Sequence, residues 1–167
     1  KIDITNSANG TYSVFAVDVD ADGDMDVLSA SQYDDTIAWY ENDGSQNFTE
    51  HDITNLANSV RSVYAVDVDG DGDMDVLSAS FADDKVSWYQ NDGNEGFTKI
   101  DITYSANGAY SVFAADVDAD GDMDVLSASR DDNTIAWYEH FRPNSGSVWH
   151  VSTSGSDAND GSQSAPF

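Results

Sequence analysis

The chain has no cysteine and very few basic residues, and each shortage excludes a class of function. Without cysteine, neither disulfide bonds nor thiolate metal sites are available. Only 6 residues are Lys or Arg, against 32 Asp and Glu, so the formal charge is -26. Nucleic-acid binding needs a basic surface, and we therefore expect no nucleic-acid partner. There is also no run of about 18 apolar residues, so we expect no membrane span.

The acidic residues are strongly biased towards aspartate, with 28 Asp and only 4 Glu. An acidic chain with few aromatic residues would be expected to be disordered, but this one is 40% hydrophobic and 11% aromatic. That composition is sufficient for a hydrophobic core, and we expect a folded chain. The short side chain of Asp suits tight loops that bind a ligand.

Internal repetition is the strongest organisational signal in the sequence. The stretch "DVDADGDMDVLSAS" at Asp18 to Ser31 returns as "DVDGDGDMDVLSAS" at Asp67 to Ser80 and as "DVDADGDMDVLSAS" at Asp116 to Ser129. Both spacings are 49 residues, and the flanking segments keep the same register. We therefore interpret each repeat as one structural unit.

Short β-branched and aromatic runs, separated by turn residues, predict four strands in each repeat. In the first repeat these are near Tyr12 to Val17, Met25 to Ser31, Thr36 to Glu41 and Asn47 to Thr54, with a turn at "NDG", Asn42 to Gly44. The predicted fold is therefore all-β.

Alternation in "TIAWYE" places Ile37 and Trp39 on one face of the third strand, with Ala38 and Tyr40 on the other. A four-stranded antiparallel sheet with two apolar faces, repeated every 40 to 50 residues, is typical of a β-propeller blade. The sequence thus predicts three such blades. The recurring tryptophans are expected in the core between blades, with ligand stacking as the less favoured alternative: Trp39, Trp88 and Trp137.

The acidic loop has the pattern D-x-D-x-D-G-x-x-D, with carboxylates at positions 1, 3, 5 and 9 and a carbonyl available at position 7. Calcium prefers six to eight oxygen ligands, and the glycine permits the sharp turn that gathers them. The loop is not an EF-hand, because Ser29 stands at position 12 and strands flank it. Magnesium prefers more water ligands, and without His or Cys a transition metal is disfavoured.

The sequence therefore predicts about one Ca²⁺ per repeat, the alternative being a solvated acidic turn. The predicted ligands, with the seventh position contributing its carbonyl, are Asp18, Asp20, Asp22, Asp24 and Asp26; Asp67, Asp69, Asp71, Asp73 and Asp75; and Asp116, Asp118, Asp120, Asp122 and Asp124.

These loops, with their hydrophobic strands and "NDG" turns, make the chain from about Lys1 to Phe141 resemble FG-GAP or VCBS-type repeats, in which "DVDGDGDMD" is the calcium loop of a propeller blade. The resemblance implies an extracellular, calcium-stabilised propeller used for adhesion, ligand binding or display. It implies no single activity, since one fold supports many functions.

The two ends of the repeat region have complementary deficits. Residues 1–5, "KIDIT", align with the fourth strands and form an orphan fourth strand, whereas the third repeat stops after "TIAWYEH". One hypothesis is that the first strand of one copy completes the last blade of another, giving a ring or a fibre. Alternatively, Ser147 to Thr153 supplies the missing strand, or the chain is cut from a longer propeller.

The remainder of the chain has a different composition. Residues 142–148 are expected to be a linker, and residues 149–167 form a tail that resembles the opening of pectate-lyase-like parallel β-helices, or else an arm that connects subunits. Two sequons, at Asn9 and Asn47, permit N-glycosylation.

We expect a noncatalytic protein. The histidines His51, His140 and His150 have no repeated nucleophile beside them, and paired aspartates such as Asp34 and Asp35 fall at turns. The predicted function is an extracellular or cell-surface calcium-binding repeat protein with a structural or adhesive role, which assembles with itself. The alternative is a carbohydrate-binding module of a larger polysaccharide-active or adhesion protein, in which exposed aromatic side chains stack on sugar rings: Tyr33, Phe81 and Trp149.

Overall fold

The computed structural model describes residues 1–141 and 148–151, and every regular element in these residues is a β-strand. The strands are β1 (Thr11–Val17), β2 (Asp26–Ser31), β3 (Thr36–Asn42), β4 (Phe48–Thr54), β5 (Val60–Val66), β6 (Asp75–Ser80), β7 (Lys85–Asn91), β8 (Phe97–Thr103), β9 (Ala109–Ala115), β10 (Asp124–Ser129), β11 (Thr134–Phe141) and β12 (Val148–Val151). The bounds of β1 to β4 agree with the sequence prediction to within one residue.

The strands form three separate antiparallel sheets, one for each repeat. The first has the order β1-β2-β3-β4 and the second the order β5-β6-β7-β8, so neighbours in sequence are neighbours in space. The third contains β9, β10 and β11, with the short β12 paired to β11. The all-β prediction and the 49-residue unit are therefore confirmed.

The core consists of two layers, each between successive sheets. In the first layer one face of sheet 1, including Leu28 and Trp39, packs against Val63 and Tyr89 of sheet 2. In the second layer the repeat-equivalent face of sheet 2, including Trp88, packs against sheet 3. Trp39 and Trp88 are each 1% exposed, which confirms that these tryptophans belong to the core between sheets.

The first strand of each sheet lies at the inner edge, where successive sheets contact one another. The Val63 backbone N–H of β5 donates to the Ser13 hydroxyl of β1 at 3.4 Å, and Val112 N–H donates to the Ser62 hydroxyl at 3.3 Å. These bonds satisfy donors that an edge strand would otherwise leave unpaired. The same inner edge therefore sets the spacing between sheets.

The two chain ends differ from the predicted orphan and missing strands. Residues 1–5 form no strand. At the other end, Val148–Val151 pairs antiparallel with β11, with Tyr138 opposite Val151 as Tyr40 is opposite Glu50. Val148 thus begins a strand instead of ending a linker, and the chain itself occupies the edge that the strand-addition hypothesis assigned to a second copy. The predictions for residues 142–147 and 152–167 lie outside the described residues.

Candidate metal centres

Each acidic loop connects the first and second strands of its sheet and turns sharply at the same position in each repeat. The turn residues Gly23, Gly72 and Gly121 have φ values of 98°, 102° and 98°, a region that L side chains rarely adopt. A Cβ atom at these positions would meet nothing within 4 Å, so backbone conformation is the reason for glycine. The turn folds the preceding aspartates over the following ones.

This turn gathers carboxylates in all three loops. In each loop, one carboxylate oxygen from each of three aspartates lies within 4.8 Å of the others. The three groups are Asp18, Asp20 and Asp22; Asp67, Asp69 and Asp71; and Asp116, Asp118 and Asp124. The predicted ligands at positions 1 and 3 are therefore brought together in every repeat, whereas the third member is position 5 in two loops and position 9 in the last.

Backbone N–H groups of the loop orient these carboxylates. Gly23 N–H donates to Asp18 Oδ2 at 3.0 Å, and the equivalent bonds from Gly72 and Gly121 are 3.0 and 3.1 Å. In the first loop the other oxygen, Asp18 Oδ1, is buried and has no hydrogen-bond partner among the described residues. An unpaired buried carboxylate oxygen is unfavourable unless something positive contacts it.

The ninth aspartate has a second role that the sequence did not reveal. Asp26 is fully buried, and its two oxygens accept the backbone N–H groups of Val19 at 2.9 Å and Asn42 at 2.8 Å. Asp75 and Asp124 accept the equivalent pairs of bonds. This side chain therefore ties the loop to the end of the third strand. The donors at the end of the third strand are backbone N–H groups, from Asn42, Asn91 and His140, so residue type gave no signal for this role.

The aspartate at position 7 of the loop packs against the "NDG" turn. The Asp24 carboxylate lies so close to Gly44 that a Cβ atom there would clash with it, and Asp73 stands in the same relation to Gly93. Both side chains are half-buried. The glycine of "NDG" is thus required by close approach of the loop as well as by its positive φ of 72° in the first repeat and 71° in the second.

The electrostatics of the loops disfavour several negative charges in the absence of a cation. Burial raises the pKa of the Asp75 carboxyl to about 6, and the charge of Asp69 adds to this rise, although the N–H groups of Asn91 and Val68 oppose it. The pKa of Asp124 is also raised, chiefly by burial. At the third position, the pKa values of Asp20 and Asp118 are raised by burial first and then by neighbouring carboxylates.

These observations satisfy the requirements of a hard divalent cation. Each loop offers only oxygen ligands, at least three of them carboxylates that converge on one point, and the first loop has an unpaired buried oxygen. Calcium accepts such ligand sets with flexible geometry, whereas magnesium retains more water. Bound Ca²⁺ would offset the cost of burying negative charge, which is the main cause of the raised pKa values described above, and the smaller repulsion between the carboxylates.

The remaining predicted residues are dispersed. Asn9 and Asn47 are exposed, but the Asn47 amide donates to Asp43 at 2.7 Å. His51 lies on β4, pairs with Glu41 at 2.8 Å and stacks on Trp39. His140 is fully buried. Of the aromatic candidates, Tyr33 is 70% exposed and Phe81 is half-buried, while Trp149 and His150 lie in β12.

The fold and loops define a β-sheet repeat protein with an acidic turn in every unit. The FG-GAP-like repeat family matches residues 18–78 and, in an overlapping second match, residues 67–127, which together cover more than half of the chain. The chain therefore belongs to the FG-GAP-like repeat family. No curated protein sequence matches the chain. Within the described residues, no helix is long and apolar enough to cross a membrane.

Proposed function

We propose that the chain is a noncatalytic, extracellular calcium-binding repeat module, in which the three acidic loops hold one Ca²⁺ each and the three sheets are propeller-type blades. The observation that carries the proposal is the convergence of three carboxylates in each of the three loops, with those of positions 1 and 3 brought together in every repeat. A solvated acidic turn would not need to bring the charges within 4.8 Å of one another.

Calcium stabilises the folded chain by mass action, because only the folded loop presents its carboxylates together. A site that binds only the native state contributes RT ln(1 + [Ca²⁺]/Kd), or roughly 2.7 kcal/mol at a hundredfold excess over Kd. Three independent sites would then make folding depend on calcium in the surrounding medium. This dependence suits a compartment that is rich in calcium, and it agrees with the extracellular setting implied for such repeats.

The direct test replaces the third-position ligand in all three loops, Asp20, Asp69 and Asp118, by Ala. We expect the melting temperature of the wild-type chain to rise strongly between EGTA and millimolar calcium, and that of the triple variant to rise little. Asp52→Ala is the control, because Asp52 is exposed on β4 and far in sequence from any loop. A triple variant with the full calcium response would refute the assignment.

Self-association is the second part of the proposal, and two exposed faces support it. Val14 on sheet 1 is 66% exposed, although its repeat equivalent Val63 is 4% exposed because sheet 1 covers it. Ile135 on sheet 3 is 84% exposed, although its equivalent Ile37 is fully buried against sheet 2. The two faces are therefore the two halves of the interface that the chain already forms twice.

We propose that sheet 3 of one copy stacks on sheet 1 of another, giving a ring if the rotation closes and a fibre if it does not. Because β12 occupies the edge of β11, this stacking takes the place of strand addition between copies. Light scattering in calcium should show assemblies for the wild type and smaller species for Val14→Asp. Leu56→Asp, at a position that is 76% exposed, is the matched control. A monodisperse wild-type monomer would contradict this part.

Carbohydrate binding is a second candidate function, and one observation favours it. Tyr33 and Phe81, the first exposed and the second half-buried, lie in the turns after the second strands of sheets 1 and 2, at one end of the sheets. Aromatic rings at a common surface suit stacking on sugar rings. A screen of the calcium-loaded chain against immobilised glycans tests this candidate, and no binding to any glycan would contradict it.

A further inference from the structure

The first strand of each sheet carries a β-bulge at its second residue. In the pairing of β1 with β2, Thr11 is opposite Ser31 and Ser13 is opposite Ala30, which leaves Tyr12 as the extra residue. The same irregularity leaves Arg61 as the extra residue in β5 and Tyr110 in β9. Bulges redirect side chains and are frequent beside functional sites. Because the bulge recurs at the same position in all three repeats, it is a regular structural feature of this end of the molecule.

The bulges direct their three side chains towards one another. The Arg61 guanidinium carbon lies 4.1 Å from the ring centre of Tyr12 and 5.6 Å from that of Tyr110. The two tyrosine rings, from sheets 1 and 3, are 6.4 Å apart and edge to face. One residue from each sheet thus meets at the inner edge, with the cation of sheet 2 between the rings.

Two further residues extend this group from the ends of the second strands. Phe81 follows β6 and lies 5.0 Å from the Arg61 guanidinium carbon, and Arg130 follows β10 and lies 4.5 Å from the Phe81 ring centre. We call this set the bulge cluster: Tyr12, Arg61, Phe81, Tyr110 and Arg130. It contains two of only 6 Lys and Arg residues in the chain.

The positive charge of Arg61 is not matched by a carboxylate. Arg130 donates from Nε to Asp131 at 2.7 Å, but Arg61 forms no ion pair or hydrogen bond within the described residues, and its Nε is buried. Aromatic faces attract a guanidinium but do not accept its N–H groups in the way that a carboxylate does. Because Arg61 has no carboxylate partner in the part of the chain that the structure describes, its guanidinium is available to an external anion.

The surroundings restrict which anion fits. Tyr12 and Tyr110 are 49% and 39% exposed, so parts of both rings are open to a flat ligand beside Arg61. The acidic loops lie at the other end of the seven-residue first strands, roughly 20 Å away, which exceeds the screening length in physiological salt. At the near end, the turns after the second strands carry Asp34, Asp83 and Asp131, of which Asp131 is paired with Arg130. A net charge of -26 nevertheless repels a dense polyanion. This repulsion favours a cyclic ligand in which each ring carries a single carboxylate.

From this geometry we infer that the bulge cluster binds a uronic-acid residue of a carbohydrate, with the carboxylate on Arg61 and the sugar ring on a tyrosine. The inference rests on the carbohydrate-binding candidate above and specifies its ligand class. An acidic peptide would also offer a carboxylate, but the Asp or Glu side chain that carries it has no ring to cover the exposed tyrosine faces. The planar guanidinium is suited to a two-point contact with a carboxylate.

The test uses NMR titration of the calcium-loaded chain with methyl glucuronoside, methyl glucoside and N-acetylaspartate amide. We expect the glucuronoside to shift signals of Arg61, Tyr12 and Tyr110, to bind at least tenfold more tightly than the neutral glucoside, and to leave the acidic-loop signals unchanged. Arg61→Lys, which keeps the charge and loses the planar fork, should weaken glucuronoside binding about tenfold. Lys99→Gln, on β8, is the control for charge.

Each other outcome overturns the inference in a distinguishable way. Equal binding of glucoside and glucuronoside would retain carbohydrate binding and remove the role of Arg61. Tighter binding of the aspartate derivative would identify an acidic peptide as the partner. No binding of any probe would remove the carbohydrate candidate as well. If Arg61→Lys fails to fold, the titration of the wild-type chain and of Tyr12→Leu decides, since Tyr12 is half-exposed and Tyr12→Leu should lose several-fold in affinity.

Discussion

Replacing Asp18 by Asn should change stability in opposite directions with and without calcium. The Asp18 carboxylate lies within 4.8 Å of those of Asp20 and Asp22. At this distance two unit charges repel by about 1 kcal/mol in water and by about 3 kcal/mol at the dielectric of a protein surface. Screening by salt and the repulsion that remains in the unfolded chain reduce the effect of this repulsion on stability. We therefore expect the free energy of unfolding of the calcium-free Asp18→Asn variant to rise by roughly 1–2 kcal/mol.

In calcium the sign should reverse. An Asn side chain retains one oxygen that can accept Gly23 N–H, but it places an NH2 group, which cannot bind a cation, where Asp18 has its unpaired oxygen. The first loop then loses its share of stabilisation, roughly 2.7 kcal/mol at a hundredfold excess over Kd, which outweighs the relief of repulsion. For a chain of this size, each kcal/mol corresponds to about 2–4 °C in melting temperature.

The assay is thermal or urea unfolding of both chains in EGTA and in millimolar calcium, with Asp52→Asn as the control that removes the same charge from an exposed strand position. The control should match the wild type in both conditions. A variant that is less stable than the wild type in EGTA as well as in calcium would show that Asp18 acts through its hydrogen bond to the loop. A variant with the full calcium response would show that it is not a ligand.

Three further predictions concern backbone strain, pH and assembly. Ala21 has a φ of 62°, a left-handed conformation in which Gly is less strained, so Ala21→Gly should raise the free energy of unfolding by about 0.5–1 kcal/mol, whereas Gly72→Ala at φ 102° should lower it, both measured by urea unfolding. The folded-state pKa of Asp75 is raised from 3.8 to about 6, so its protonated form favours folding. In EGTA, the contribution of protonated Asp75 to the free energy of unfolding should be fully present below about pH 4 and should be lost as the pH rises through 6. The calcium-induced shift in melting temperature should grow over the same pH range. Val14→Asp and Ile135→Asp each disrupt one half of the proposed interface, so either substitution alone should reduce the assembly mass measured by light scattering. The same assembly mass for both variants and the wild type would contradict the stacking proposal.

The strands and the core faces could be predicted from the sequence because they depend on local patterns. Alternation in "TIAWYE" correctly predicted that Ile37 and Trp39 share one face of β3, and both are buried in the layer between sheets 1 and 2. The 49-residue repetition then extends this assignment to the other units. The convergence of the first and third aspartates also followed from their spacing around a turn glycine.

Features that depend on pairing between distant residues could not be predicted in this way. The sequence shows five aspartates in the first loop, but only the structure shows that Asp26 gives both its oxygens to backbone N–H groups. The bulges at Tyr12 and Arg61 result from strand register, which residue type does not determine. The pairing of β12 with β11 likewise crosses a segment of different composition, so that a tail and a fourth strand were equally consistent with its sequence.

Native mass spectrometry of the chain in calcium tests the central claim most directly, because it counts the ions on each folded molecule. The account predicts three calcium ions per chain at saturation, and a loss of all three in the variant in which Asp20, Asp69 and Asp118 are replaced by Ala. A wild-type spectrum with no more calcium than that of the triple variant would contradict it.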